Sequence, residues 1–240
     1  MISALMSSLR GFTFNGKHNN DLGVIMHSKS IQSPSKKKIK ESVPFMNGSY
    51  DFSTIGSNGD ISYNEREITI IIGLPAKTKE HLQVMYSKVI EWLVDAGKQK
   101  LIFDVMQDYY FMAEAEETTS LEETMEFGQL EIKFTAEPFK KSNEYVGSDV
   151  WDSFNFEEDY AQSTSYNIVG SSVITVYNPG RMVSPIINCS ASMTLIQNGK
   201  SYNLSIGDNK LYGFYLYNLG NTLTINGTGT IKFTFRKESI

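Results

Sequence analysis

The stretch 61–104, ISYNEREITIIIGLPAKTKEHLQVMYSKVIEWLVDAGKQKLIFD, changes its hydrophobic period part-way along, and this constrains the first half of the chain more than any other feature. Ile68, Ile70 and Ile72 alternate with Glu67, Thr69 and Ile71. A period of two built from β-branched residues predicts a strand. Gly73 and Pro75 break it, since proline has no amide to give to a ladder. Leu82, Met85, Tyr86, Val89, Trp92, Leu93 and Ala96 then recur at helical spacing on one face. Thr78 can accept a free first-turn amide, and Gly97 suits the left-handed residue just past the last turn. Residues 101–103 predict a second short strand. This is the one long helix the sequence predicts, and its Trp92 face has to be buried on the strands either side.

A chain of 240 residues is long for one β-domain and comfortable for two. With 40% hydrophobic and 20% charged residues it has enough apolar side chains to fold. A net charge of −5 argues against sequence-independent nucleic-acid binding, which needs a basic face to release counterions. It is compatible with DNA passing by without being gripped. Cys189 is the only cysteine, so neither an intrachain disulfide nor a thiolate zinc site can be built. Residues 1–10 lack the basic start and apolar core of a signal peptide, and no run approaches the roughly 20 apolar residues of a membrane span. The expectation is synthesis in a cytoplasm, with no membrane partner. His18, His27 and His81 are too few and too scattered to suggest a catalytic or metal centre.

Before the central stretch, FTFNGK (12–17) predicts a strand entering a turn at Asn15 and Gly16, and LGVIMH (22–27) its returning partner. Residues 28–44 hold Pro34 and the lysines Lys36, Lys37, Lys38 and Lys40 without a clear period, which predicts a long loop or arm. Its lysines are read as a solvated face, with a specific contact surface as the alternative. A turn and short strand follow at 46–53.

After the central stretch, 109–117 and 127–137 predict a hairpin, with Leu130, Ile132 and Phe134 on the packed face. Its connecting region carries Glu114, Glu116, Glu117, Glu122, Glu123 and Glu126. No calcium-loop spacing accompanies them, so a solvated acidic tip is expected. Pro138 ends this unit. Residues 141–165 are polar and acidic, with isolated aromatics at Tyr145, Trp151, Phe154, Phe156 and Tyr160, and read as a linker whose aromatics anchor it to a domain surface. From 166 onward short runs at 172–176, 183–187, 193–196, 202–206, 211–217, 222–225 and 230–236 are separated by Asn- and Gly-rich turns, which predicts a β-sandwich. The fold class is therefore mainly β: an α+β N-terminal domain (1–140) with one long helix, a linker (141–165) and a C-terminal β-sandwich (166–240).

No nucleophile elbow, phosphate-cradling loop, paired histidine ligands or dinucleotide fingerprint is present in the sequence, and no catalytic, cofactor-binding or metal residue is identified. Gly227-Thr228-Gly229 is too short for a phosphate loop and is placed in a strand-to-strand turn. Tyr212, Phe214, Tyr215 and Tyr217 are read as filling both faces of a central strand, with sugar stacking as the alternative. Asn188, Asn203 and Asn226 begin N-x-[ST] patterns that mean nothing without secretion.

The ordered set of segments carries a resemblance. FTFNGKHNNDLGV, VPFMNGSYDFS, YNEREITI, the helix closing on EWL with a short step to KLIFD, YYFMAEAEE and FTAEPFK occur over roughly 11–140 in the order and at the spacing of the distal tail proteins (Dit) of long-tailed phages infecting Gram-positive bacteria. VYNPGR, SPII and GTGTIKFTF resemble that family's galectin-like sandwich more loosely. No single motif is specific, but the ordered set is. The resemblance implies a structural virion protein at the tail tip. Its N-terminal domains would form a homo-hexameric ring that continues the tail tube, carries the tail-tip or baseplate proteins and lets DNA pass. Its sandwiches would sit outside as docking arms, receptor-binding proteins among the candidate partners. The 28–44 loop and the hairpin around Leu121 are long enough to reach a neighbour, and some of the acidic hairpin residues are expected at the lumen or ring rim. The alternatives are a carbohydrate-binding adhesion module acting through 166–240, and a wall hydrolase. The second needs two placed carboxylates in a cleft, whereas 166–240 holds only Asp208 and Glu238.

Overall fold

A computed structural model describes residues 11–54, 60–118, 122–123, 127–148 and 161–240. The chain divides into two compact units, Met1–Lys140 with Ile240, and Lys141–Ser239. Each is built around its own core.

Among its described residues the first unit is an antiparallel sheet with one α-helix. Phe12–Phe14 (β1) turns through Asn15 (φ 49°) and Gly16 (φ 73°) into Lys17–His18 (β2), and both positive φ values suit an Asn-Gly hairpin. Ile25–Ile31 (β3) follows, then the short Lys40–Glu41 (β4) and Tyr50–Asp51 (β5). The main strands are Arg66–Pro75 (β6), Gln99–Phe103 (β7), Tyr109–Thr118 (β8) and Phe127–Ala136 (β10), with the two-residue Glu122–Glu123 (β9) before the last. The order is β2-β1-β7-β8-β10-β6-β3. β8 and β10 pair as the sequence predicts, with a bulge at Lys133/Phe134.

One face of this sheet is apolar. Ile68, Ile70, Ile72 and Leu74 of β6 and Leu130, Ile132 and Phe134 of β10 are fully buried. Against them lies Lys79–Leu93 (α1), which buries Leu82, Met85, Val89, Trp92 and Leu93. Thr78 Oγ1 accepts the His81 amide at 3.2 Å, so the expected cap is made. Gly97 has φ 61°, but Val94–Ala96 form a turn between it and the helix end. The helix is locked by Trp92, whose Nε1–H donates to Phe14 O at 2.9 Å while its ring stacks on Phe12 at 5.5 Å. The sheet curls, so that Lys29 on β3 sits 4.0 Å from the Phe103 ring centroid on β7. Burial lowers the Lys29 pKa, and the Asp104 carboxylate opposes that.

Three sequence expectations are corrected here. Residues 22–27 do not return along β1; β3 pairs with β6 instead. The cause is Asn19, which is fully buried, accepts the Phe12 amide at 2.8 Å and donates to Val24 O at 2.7 Å, holding a 3-10 turn at Asn19–Leu22 that redirects the chain. Gly73 does not end β6, because Gly73 and Leu74 stay paired with Gln129 and Gly128. The 28–44 stretch is not a plain loop: its first residues belong to β3, and β4 pairs with β5.

In the second unit, Lys140–Ser142 (β11) begins the segment and Ser165–Asn178 (β12) is its first long strand. Ile186–Cys189 (β13), Met193–Gln197 (β14), Lys200–Leu204 (β15), Gly207–Asn209 (β16), Leu219–Thr234 (β17) and Glu238–Ser239 (β18) follow. β12 and β17 form one unbroken ribbon from Ser165↔Lys232 to Asn178↔Leu219. One half of β17 pairs with β14 and the other with β13. The ribbon is bent: Tyr166 Oη donates to Thr175 O at 3.3 Å, although nine residues of straight strand would span about 30 Å. Gly170, Gly227 and Gly229 all have positive φ at this corner, and a Cβ on Gly227 would lie 2.8 Å from Met193 Cγ. Gly227-Thr228-Gly229 is thus a bend inside a continuous strand, not a turn between strands. Residues 207–208, read as a turn, open β16. Residues 211–217, expected as a strand, form a loop whose one backbone bridge, Val183↔Leu216, lies outside the named strands.

Two substitutions test the two cores by chemical denaturation. Trp92→Phe removes the Nε1–H bond to Phe14 O and shrinks a buried ring, and should cost about 1–3 kcal/mol. Gly227→Ala forces a side chain into a left-handed backbone beside Met193, and should cost about 1–3 kcal/mol. Unchanged midpoints would contradict the roles given to these residues.

Candidate interaction surface

The residues with catalytic chemistry do not converge. His18 Nε2 lies 3.2 and 3.3 Å from the two Asp104 carboxylate oxygens, and its Nδ1 accepts the Asn20 amide at 3.2 Å. That uses both ring nitrogens to hold the chain between β1 and β3. A Cβ on Gly11 would strike this pair at 2.3–2.5 Å, so Gly11 packs directly over it. His27 and His81 are exposed on other elements. Cys189 is buried, and desolvation pushes its thiol up. Among the described residues no group of three or more His, Cys, Asp or Glu side chains is placed to hold a metal ion. No described helix is long and apolar enough to cross a membrane. Glu114 and Glu116 are exposed on β8, whereas Leu121, Glu126 and the side chains of Glu117, Glu122 and Glu123 lie outside what is described. Trp151, Phe154, Phe156 and Tyr160 also lie outside it. Tyr145 is described, and the Arg236 guanidinium sits 3.9 Å from its ring centroid.

The tyrosine cluster divides. Phe214 is fully buried, Tyr215 and Tyr217 are half-buried, and Tyr212 is 99% exposed. Tyr202 Oη donates to Gly213 O at 2.8 Å and Gln197 Nε2 to Tyr215 O at 2.9 Å, which pin the loop that presents Tyr212.

The feature most in need of a partner is the arm between β3 and β6. Its two sides are laced together over a long reach. The Asn64 amide donates to Ser35 O at 2.8 Å, Lys37 to Ser62 O at 2.9 Å and Phe52 to Ile39 O at 2.8 Å, and β4 pairs with β5 beyond them. Lys38 Nζ reaches Asp51 Oδ2 at 3.1 Å, so one of the four lysines serves the arm itself. The Ser53 hydroxyl and amide, together with Lys38, hold the Asp51 carboxyl well below the usual carboxylate range. Yet the arm has almost nothing to bury against. Ile39, Val43, Met46, Tyr50 and Phe52 are all exposed, and Phe45 is wholly so. Tyr50 and Phe52 stack on each other at 6.1 Å, the little cover the arm makes for itself. A lone two-stranded ribbon is marginal in water, and clustered exposed apolar groups mark interaction surfaces. Sequence reading found this segment through its lysines. Its apolar residues showed no period because they lie on a tip and two short strands.

Residues 20–136, which include the arm, match the family described as the phage tail protein RIFT-related domain. Residues 20–136 thus carry a phage tail domain. The chain's fold is also that of a solved structure, the Dit protein (gp 19.1) of phage SPP1, described as a paradigm of the hub adsorption apparatus in phages infecting Gram-positive bacteria. The TM-score is 0.66 at 14% identity, and the match covers 96% of this chain and 99% of the SPP1 protein. No curated protein sequence matches the chain.

The Asp51 network sets the arm's pH response. A carboxyl held below its ordinary pKa contributes stability above that value, near 3.9, and loses it as pH falls toward the lowered one. Amide-exchange protection of Ile39 and Phe52 should therefore be level above about pH 4 and fall below it. Asp51→Ala should lower protection at neutral pH and flatten that profile. An arm equally protected in the variant would contradict the network.

Proposed function

We propose that this tail protein is the distal hub of the tail: a homo-hexameric ring that joins the tail tube to the tail tip or baseplate and lets DNA pass through its channel. The observation that carries this reading is the arm, a ribbon whose apolar side chains have little cover in a single chain. A cyclic ring repeats one heterologous contact until it closes, and a projecting arm is suited to supply half of it. The family match and the fold of SPP1 Dit support a place at the tail end. The net charge of −5 suits a channel through which DNA moves without specific binding.

In this reading residues 1–140 form the ring, 141–165 connect, and the galectin-like sandwich at 166–240 is the docking platform. The partners are the tail tube protein, a tail-tip protein and receptor-binding proteins. The protein is synthesised in the bacterial host and is not an enzyme. The exposed glutamates of β8 face the lumen or the ring rim.

One observation favours a second reading. Tyr212, wholly exposed on a pinned loop, offers a face on which a sugar ring could stack, so the sandwich would be a carbohydrate-binding adhesion module. Glycan-array binding by the full chain that Tyr212→Ala abolishes would establish it.

The ring reading is tested by light scattering and negative-stain microscopy of the purified protein at high concentration. Closed rings with a central hole are expected. A species that stays monomeric at every concentration would contradict it. In assembled tails, Glu116→Lys with Glu123→Lys should slow DNA ejection, and unchanged ejection would remove the glutamates from the lumen.

A further inference from the structure

Near the start of α1 there is an open recess of about 420 Å³. Leu22, Gly23, Pro75 and Met85 are the apolar part of its lining. Three local features build it. The 3-10 turn at Asn19–Leu22 ends on Gly23, whose φ of 68° a side chain would resist, and a Cβ there would meet Met85 Cε at 3.8 Å. Pro75 closes β6. The helix contributes His81, Met85 and Lys88, which fall at i, i+4 and i+7 on one side. His81 and Lys88 form a polar rim with Asp21.

We propose that this recess receives the Phe45 side chain of a neighbouring copy of this chain. The inference rests on the ring reading and names the contact that would close the ring. Phe45 is a non-glycine residue held at φ 67°, at the tip of the arm, with its ring wholly exposed. Such backbone strain persists where the surroundings fix it, and here it aims an aromatic ring away from its own chain. The exposure shows that Phe45 does not fill the recess of its own subunit.

The two features complement each other. A ring built by rotation needs two different surfaces on each copy, one to enter and one to receive. The arm supplies an apolar knob and the recess a hole whose lining is apolar in part. A volume of 420 Å³ falls in the range of about 300–1,000 Å³ typical of binding pockets, room enough for one aromatic side chain. Met85 in the lining is an unbranched thioether, which adapts its shape and makes favourable contacts with aromatic rings. Aromatic residues seated in pockets are the usual anchors of protein interfaces.

The test is site-directed cross-linking. Asn47→Cys, which leaves the Phe45 ring in place beside it, and His81→Cys are combined in one chain and treated with a short bis-maleimide. Both positions are exposed, so both substitutions leave the fold intact. Cys189 is buried and stays silent. A ladder of covalent multimers up to ring size is expected on a denaturing gel, with neither single variant giving one. Phe45→Ala should raise the concentration needed for rings at least about tenfold. Rings that form without a ladder, or that form equally well with Phe45→Ala, would overturn the recess as the receptor and leave the ring reading standing. A wild-type chain that never forms rings would overturn both.

Discussion

The first unit depends on the bond from Trp92 Nε1 to Phe14 O. β1 has only three residues, and its register with β7 is Phe12↔Phe103 to Phe14↔Leu101. So short a strand has little ladder of its own. Trp92 holds it from the core side, 78 residues away in sequence, by one buried hydrogen bond and a stack on Phe12. Asn19 holds it from the other end through the Phe12 amide. Between them they fix where α1 lies on the sheet, and so where its His81, Met85 and Lys88 side faces. Such a bond is worth about 1 kcal/mol net, and the buried indole around it adds the packing that holds β1 in place.

Against this satisfied interior the arm is a contrast. Inside the core the apolar side chains of β6 are fully covered, while on the arm side chains of the same kind stand in water. The arm keeps its shape through backbone bonds and the Lys38–Asp51–Ser53 cluster, which need no core. The result is an element ordered enough to present a surface but not to bury it. Such an element is stabilised further by whatever covers it, so assembly and arm order are coupled. A lone chain is folded but incomplete at its edge.

Much of this was legible in the sequence where a segment's chemistry is local. The strand of alternating isoleucines, the Trp92 face, the Thr78 cap and the Asn15-Gly16 turn all follow from neighbours within a few residues. The hairpin of β8 and β10 was legible for the same reason. What failed depended on distant partners. Residues 22–27 join β6 because a buried asparagine redirects the chain, and nothing local distinguishes Asn19 from Asn20. Gly170, Gly227 and Gly229 look like turn residues. In the fold they are the corner of a long bent ribbon: Met193 and Ser190 leave no space for a Cβ at Gly227 and Gly229, while Gly170 supplies a positive φ in open space. The 211–217 run has the composition of a strand, but Tyr202 and Gln197 hold its backbone as a loop. The arm was read as polar because its lysines are contiguous and its apolar residues are not. The recess was invisible, since its lining comes from three separate elements.

The central claim is that the arm is covered by a neighbouring copy in the assembled tail. Hydroxyl-radical footprinting of Phe45 and Met46, in intact tails and in the dilute isolated chain, measures this directly. Strong protection of both residues in the tail, with Tyr86 of the core region unchanged, is the expected result. Equal labelling in the two states would contradict the claim, because the arm would then remain in water after assembly.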